Sequence, residues 1–171
     1  LFVGIYSYDI YDRMGGMTPL NDHAMHAMHG DATDQRTWAG ISPIATEGQE
    51  GLTPLPIDVT AMQFAFIFHY PDADITSGEL HVPLGQPVAL QMRANDVIHA
   101  FWVPQFRLKQ DVIPGQPTLL SFTPTRTGRF PIVCAELCGP YHGGMRSTVI
   151  VEEPETFAAW VAQNSPAPAA P

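Results

Sequence analysis

Cys134 and Cys138 are the only two cysteines of the chain, and they open the run Cys134-Ala135-Glu136-Leu137-Cys138-Gly139-Pro140-Tyr141-His142-Gly143-Gly144-Met145. Thiolate, imidazole and thioether in one short segment form a soft and borderline ligand set, which selects copper over magnesium, calcium or manganese. Zinc takes thiolates and imidazole but has little use for a thioether, so Met145 tips the choice to copper. A mononuclear blue-copper centre uses one thiolate, two imidazoles and a weak axial methionine. The second thiolate, four residues from the first, departs from that pattern, and two thiolates can bridge two metals. Gly139, Pro140, Gly143 and Gly144 make the segment a loop that folds tightly enough for both sulfurs, His142 and Met145 to converge. A second histidine is then expected from elsewhere.

Asp96-Val97-Ile98-His99-Ala100-Phe101-Trp102-Val103-Pro104 supplies it, an apolar run around His99, and Lys109-Gln110-Asp111-Val112-Ile113-Pro114-Gly115 follows. Over about residues 60 to 151 these stretches together resemble the binuclear CuA domain of cytochrome c oxidase subunit II. The wording Met62-Gln63-Phe64-Ala65, His99-Ala100-Phe101-Trp102 and Arg107-Leu108-Lys109-Gln110-Asp111 is most similar to the cyanobacterial branch. A C-x-E-x-C-x-x-x-H-x-x-M run with D-V-I-H upstream is a specific signature. The resemblance implies that Cys134 and Cys138 bridge both coppers. It also implies that His99 and Met145 complete one copper, and that His142 and the Glu136 backbone carbonyl complete the other. In that family the Glu136 side chain turns toward a magnesium ion at the interface with subunit I.

A ligating imidazole usually gives its other N–H to a carboxylate, carbonyl or water, so Asp96, Trp102, Lys109 and Asp111 are candidates to support the ligands, with Asp96 first by its position. Many family members carry Q-W-x-W where this chain has Gln63-Phe64-Ala65-Phe66. Phe64 offers apolar contact without an N–H and with a less easily oxidised ring, which shifts the expected point of electron arrival toward His142 and Tyr141. His69 and His81 have no motif around them and are read as non-ligands. Two other classes compete. The copper domain of nitrous oxide reductase is similar at the ligand loop but sits behind a large propeller. A copper-delivery protein of the Sco type uses C-x-x-x-C and a distant histidine on a thioredoxin-like fold, and no βαβ pattern is visible here.

The ligands must be carried by strands. Large side chains at every second position from Ala61 to Tyr70 predict a half-buried strand. Shorter strands are predicted over residues 79–82, 87–93, 97–103, 117–123, 128–134 and 146–151, with turn signals such as Leu84-Gly85-Gln86-Pro87 and Pro114-Gly115 between them. This spacing predicts an all-β Greek-key sandwich or barrel, which the resemblance makes cupredoxin-like, over residues 57–163. From Glu152 to Val161 a short C-terminal helix is expected. Pro154 suits its first turn, acids lie at its positive end, and Phe157, Trp160 and Val161 form one apolar face. Residues 164–171 are rich in Pro and Ala and read as a disordered tail.

Residues 1–8 are apolar but far short of the ~20 that a membrane helix needs. With the resemblance, they read as the stump of a transmembrane helix that anchors the domain. Residues 9–56 lack periodicity and read as a connecting segment. The tract Asn21-Asp22-His23-Ala24-Met25-His26-Ala27-Met28-His29-Gly30-Asp31 reads first as a solvated loop and second as a low-affinity copper-collecting arm.

Seventeen acidic against eight basic residues give a net charge of -9, which argues against nucleic acid and suits a basic c-type cytochrome as partner. The same charge also serves solubility. The resemblance implies an electron-accepting subunit of a haem-copper oxidase, on the periplasmic or thylakoid-lumen side, with subunit I and a soluble cytochrome c-type or plastocyanin-like donor as partners.

Overall fold

The computed structural model describes residues 2–13 and 53–166. The 21–31 tract and residues 167–171 of the tail lie outside those residues. Two units are distinguished, residues 1–51 and 52–171. In the first, helix α1 spans Phe2–Arg13, with Phe2, Val3, Ile5 and Tyr6 exposed. Among the described residues no helix is long and apolar enough to cross a membrane.

The described residues of the second unit form ten strands: β1 (Leu55–Met62), β2 (Ala65–Tyr70), β3 (Ile75–Ser77), β4 (Leu80–Pro83), β5 (Val88–Ala94), β6 (His99–Val103), β7 (Leu108–Val112), β8 (Thr118–Phe122), β9 (Gly128–Cys134) and β10 (Arg146–Glu152). They form two five-stranded sheets, ordered β3-β2-β1-β5-β8 and β4-β10-β9-β6-β7. Pairing is antiparallel except for β1 with β5 and β10 with β4. Each parallel pair is made by a chain that crosses between sheets, which is the cupredoxin-like Greek-key arrangement. The core lies between the sheets. Ile57, Val59, Phe66, Phe68, Leu90 and Met92 face it from one side, and Phe101, Ile132 and Val149 from the other. Phe66 and Phe101 meet edge to face across it at 5.8 Å, a favoured aromatic geometry.

The single strand expected from Ala61 to Tyr70 is instead a hairpin. β1 and β2 pair antiparallel through a turn at Gln63-Phe64, with Ala61 opposite Phe66. Odd-numbered residues point inward in β1 and even-numbered ones in β2. Met62 and Phe64 prolong the even-numbered run of large side chains across the turn, so the parity change that marks the break is hidden. No Gly, Asn, Asp or Pro signals the turn either. β7 was not expected as a strand, because its Leu-Lys-Gln-Asp-Val run lacks clean alternation. It forms by pairing with β6 along its whole length. β3, three residues long, is held by pairing with β2.

Helix α2 (Pro154–Asn164) follows β10. It is seated through Trp160, which stacks on His81 at 4.2 Å and meets Tyr70 at 5.1 Å. Tyr70 Oη accepts from the His81 N–H at 2.7 Å and donates to the His81 carbonyl at 2.9 Å, so one phenol joins β2 of the first sheet to β4 of the second. Burial, and secondarily the Glu152 carboxylate, push this phenol well above its usual range, against the His81 N–H.

Candidate metal centre

The ligand-bearing residues gather at one end of the barrel, where β6 and β9 lie side by side. His99 begins β6 and Cys134 ends β9, and Phe101 is in register with Cys134. The ligand loop is pinned at its base. The Cys134 N–H donates to the Met145 carbonyl at 3.1 Å, and the Ala135 N–H donates to the Ala100 carbonyl at 3.1 Å. A 3₁₀ turn at His142–Gly144 then brings Met145 back under the sulfurs.

All six expected donors meet there. The two sulfurs are 3.8 Å apart. His99 Nδ1 lies 3.9 Å from Cys134 Sγ, and His142 Nδ1 lies 3.5 Å from Cys138 Sγ. Met145 Sδ is 3.7 Å from Cys138 Sγ, and the Cys134 thiol donates to the Glu136 carbonyl at 3.3 Å. The ligand atoms of His99, Cys134 and Cys138 are all within 4.8 Å of one another. His99, Cys134, Cys138 and Met145 are buried, and His142 is half-buried. This donor chemistry fits copper, since a buried thioether beside two thiols and two imidazoles suits a soft ion and not a hard one.

The supporting residues divide. His99 Nε2 lies 2.7 Å from Asp96 Oδ1. A carboxylate only accepts, so the imidazole proton sits on Nε2, and Nδ1 keeps its lone pair toward the sulfurs. Burial disfavours the charged form of Asp96. The bonds from His99 and from the backbone N–H groups of Gln63 and Val97 outweigh it and hold the carboxyl below the usual carboxylate range. Lys109 and Asp111 do not reach an imidazole: Lys109 Nζ bridges Asp111 Oδ1 at 2.8 Å and Glu136 Oε1 at 3.1 Å. Those two carboxylates, Asp111 first, raise the lysine above its ordinary value. Trp102 takes the outward face of β6 and is 39% exposed.

Glu136 therefore turns its carbonyl in and its carboxylate out. The outward carboxylate is engaged by the Lys109 ammonium.

Phe64 and Tyr141 meet edge to face at 5.3 Å, and Tyr141 is 70% exposed with Leu137 exposed nearby. His69 Nδ1 faces Thr76 Oγ1, and His81 Nδ1 pairs with Glu152, so both lie in contacts away from the sulfurs. The part played by Gln63 is not read from the sequence. It touches both ligand-bearing loops, and its signals in the sequence are its match to the glutamine of Q-W-x-W and a polar side chain breaking an apolar run.

The profile of the family described as cytochrome c oxidase subunit II, periplasmic domain, matches residues 68–153. A cytochrome c oxidase subunit 2 of Thermostichus vulcanus is 50% identical, with all of this chain and 58% of that protein covered. The chain belongs to the cytochrome c oxidase subunit II family. A second cyanobacterial subunit 2, from Synechocystis, is 43% identical over 97% of this chain and 54% of its own length. The chain thus spans a little over half the length of these relatives. Among solved structures, the periplasmic domain of subunit II of cytochrome oxidase (CoxB) of Bradyrhizobium japonicum superposes with a TM-score of 0.61 at 32% identity. That superposition covers 64% of this chain and 92% of the other. Within subunit II, the residues that carry the signature are the ones whose donor atoms converge here. No βαβ unit occurs among the described residues, in line with this family and not with a thioredoxin-like carrier.

Proposed function

We propose that this chain is the electron-accepting domain of a haem-copper cytochrome c oxidase. It would take electrons from a small soluble redox protein at a binuclear copper centre and pass them to the catalytic subunit. The observation that carries this reading is the pair of sulfurs 3.8 Å apart with one imidazole close to each. Cys134, Cys138, His99, His142, Met145 and the Glu136 carbonyl would hold the metal. A bound copper pair would supply one reversible one-electron site shared between two nuclei.

The protein's own contribution is to keep those ligands still. Cys134 and Met145 are tied through their backbones, Asp96 orients His99, and Met145 is fully buried. Ligands that do not move between oxidation states keep the reorganisation cost of electron transfer low. Exposed Tyr141, packed on Phe64, offers an apolar surface near His142 where a donor can settle. Glu136, with Lys109 and Asp111, faces outward as a polar surface suited to subunit I. The description of the family as a periplasmic domain supports placement on the periplasmic or lumenal side of a membrane-anchored oxidase.

Copper stoichiometry with EPR tests the reading. About two coppers per chain and one unpaired electron shared between two nuclei are expected, with loss of the shared signal in Cys138→Ser. One copper per chain, or a native spectrum in Cys138→Ser, overturns it.

A further inference from the structure

The two ligand arms leave the same sheet, but both are held from the other sheet by a single turn. Gln63 and Phe64 form the β1–β2 turn of the first sheet. The Gln63 backbone N–H donates to Asp96 Oδ2 at 2.6 Å, and the other oxygen of that carboxylate holds His99 Nε2 at 2.7 Å. The Gln63 side chain reaches the opposite way, and its Nε2 donates to the Cys138 carbonyl at 2.6 Å across 75 residues of sequence. The next residue of the loop, Gly139, sits at φ +138°, and a Cβ there would lie 2.8 Å from Gln63 Nε2 and 3.1 Å from the Phe64 ring. The contact therefore requires glycine twice, for its backbone conformation and for its lack of a side chain. On the far side of the same turn, the Asn95 N–H donates to the Ala61 carbonyl at 3.0 Å, anchoring the chain that leads to Asp96.

We propose that Gln63 is a positioning residue that sets the separation between the His99 arm and the Cys138–His142 arm. Neither arm can shift from the other without breaking a bond to this turn. The backbone N–H fixes the first arm through Asp96, whatever the side chain is. The side-chain amide fixes the second, and it is the part a substitution can remove alone. Gln63 touches no metal ligand side chain. It acts on Cys138 through the carbonyl and on His99 through Asp96. The geometry stands by itself, while the consequence for copper rests on the reading proposed above.

The test is Gln63→Met, which keeps the length and shape of the side chain and the backbone N–H but deletes the donor. Removing an outer partner of this kind typically costs 10- to 100-fold in metal affinity or activity. Copper extraction by a chelator is expected to be about tenfold faster at the low end of that range, with altered copper hyperfine splitting and a shifted reduction potential. A role confined to fold stability would lower the apo melting temperature and leave the spectrum and potential of the loaded protein alone. A wild-type extraction rate with unchanged spectrum and potential overturns the proposal. In the metal-free wild type, slow solvent exchange of the Gln63 side-chain amide protons is expected, and fast exchange equally overturns it. That second measurement decides the matter if Gln63→Met does not fold, or if the wild type fails to load two coppers. In the latter case the copper reading fails separately.

Discussion

Cys138 shows how burial sets the chemistry of a single residue before any metal arrives. Its thiol is pushed up to about 11 from an ordinary 9.0, first by burial and then by the neighbouring Cys134. The metal-free protein therefore holds this thiol protonated at neutral pH, and loading must release protons. The folded value exceeds the unfolded one, so the associated stability is fully present below about pH 9 and is lost as pH rises toward about 11. Melting curves of reduced, chelator-treated protein should fall more steeply between those limits for the wild type than for Cys138→Ser. Met145 is different, since it is buried without charge and is proposed as a weak ligand. Met145→Leu nearly conserves volume and should cost less than about 1.5 kcal/mol in fold stability. It should retain copper but shift the reduction potential, read by voltammetry. An unchanged potential would remove Met145 from the ligand set.

At the scale of elements, strand pairing holds each sheet together, while the apolar core and specific side-chain hydrogen bonds tie one sheet to the other. Tyr70 is the clearest, because its hydroxyl is both donor and acceptor to the backbone of His81 in the opposite sheet. Tyr70→Phe would leave a buried N–H and a buried carbonyl without that partner, at a cost of about 1–3 kcal/mol. A lower urea midpoint is expected, with the denaturant slope unchanged and copper binding intact, because Tyr70 packs against α2 rather than near the sulfurs. A loss of copper binding as large as the loss of stability would mean that the two ends of the barrel are coupled.

For the molecule as a whole, the decisive quantities are charge and the linkage between folding and metal. A net charge of -9 attracts a cationic donor from a distance, and salt reduces the reach of that field to about 10 Å at 0.1 M. The second-order rate of electron transfer from a basic c-type cytochrome should therefore fall steeply as salt rises from millimolar levels to 0.2 M. A rate indifferent to salt would leave apolar contact at Tyr141 and Leu137 as the main attraction. Copper should also raise the melting temperature, since it binds the assembled site and not the open chain. Stopped-flow kinetics and scanning calorimetry read these two effects.

The candidate donor set was legible because it is a matter of residue type and close spacing: both cysteines, His142 and Met145 lie within twelve residues, and a soft donor set favours copper. Six of the ten strands were legible from alternation and turn residues, since the period of two is a local property. Tertiary structure alone decided who meets whom across distance. The β1–β2 hairpin was hidden because its parity change falls on large side chains, and with it the part played by Gln63. Lys109 and Asp111 lie near the site in sequence terms, yet in β7, paired along β6, Lys109 turns to the carboxylates of Asp111 and Glu136, and neither Lys109 nor Asp111 turns to an imidazole. Local pattern sets which face of a strand is buried. Only non-local pairing, through register and sheet closure, brings His99 to a sulfur 35 residues further along the chain.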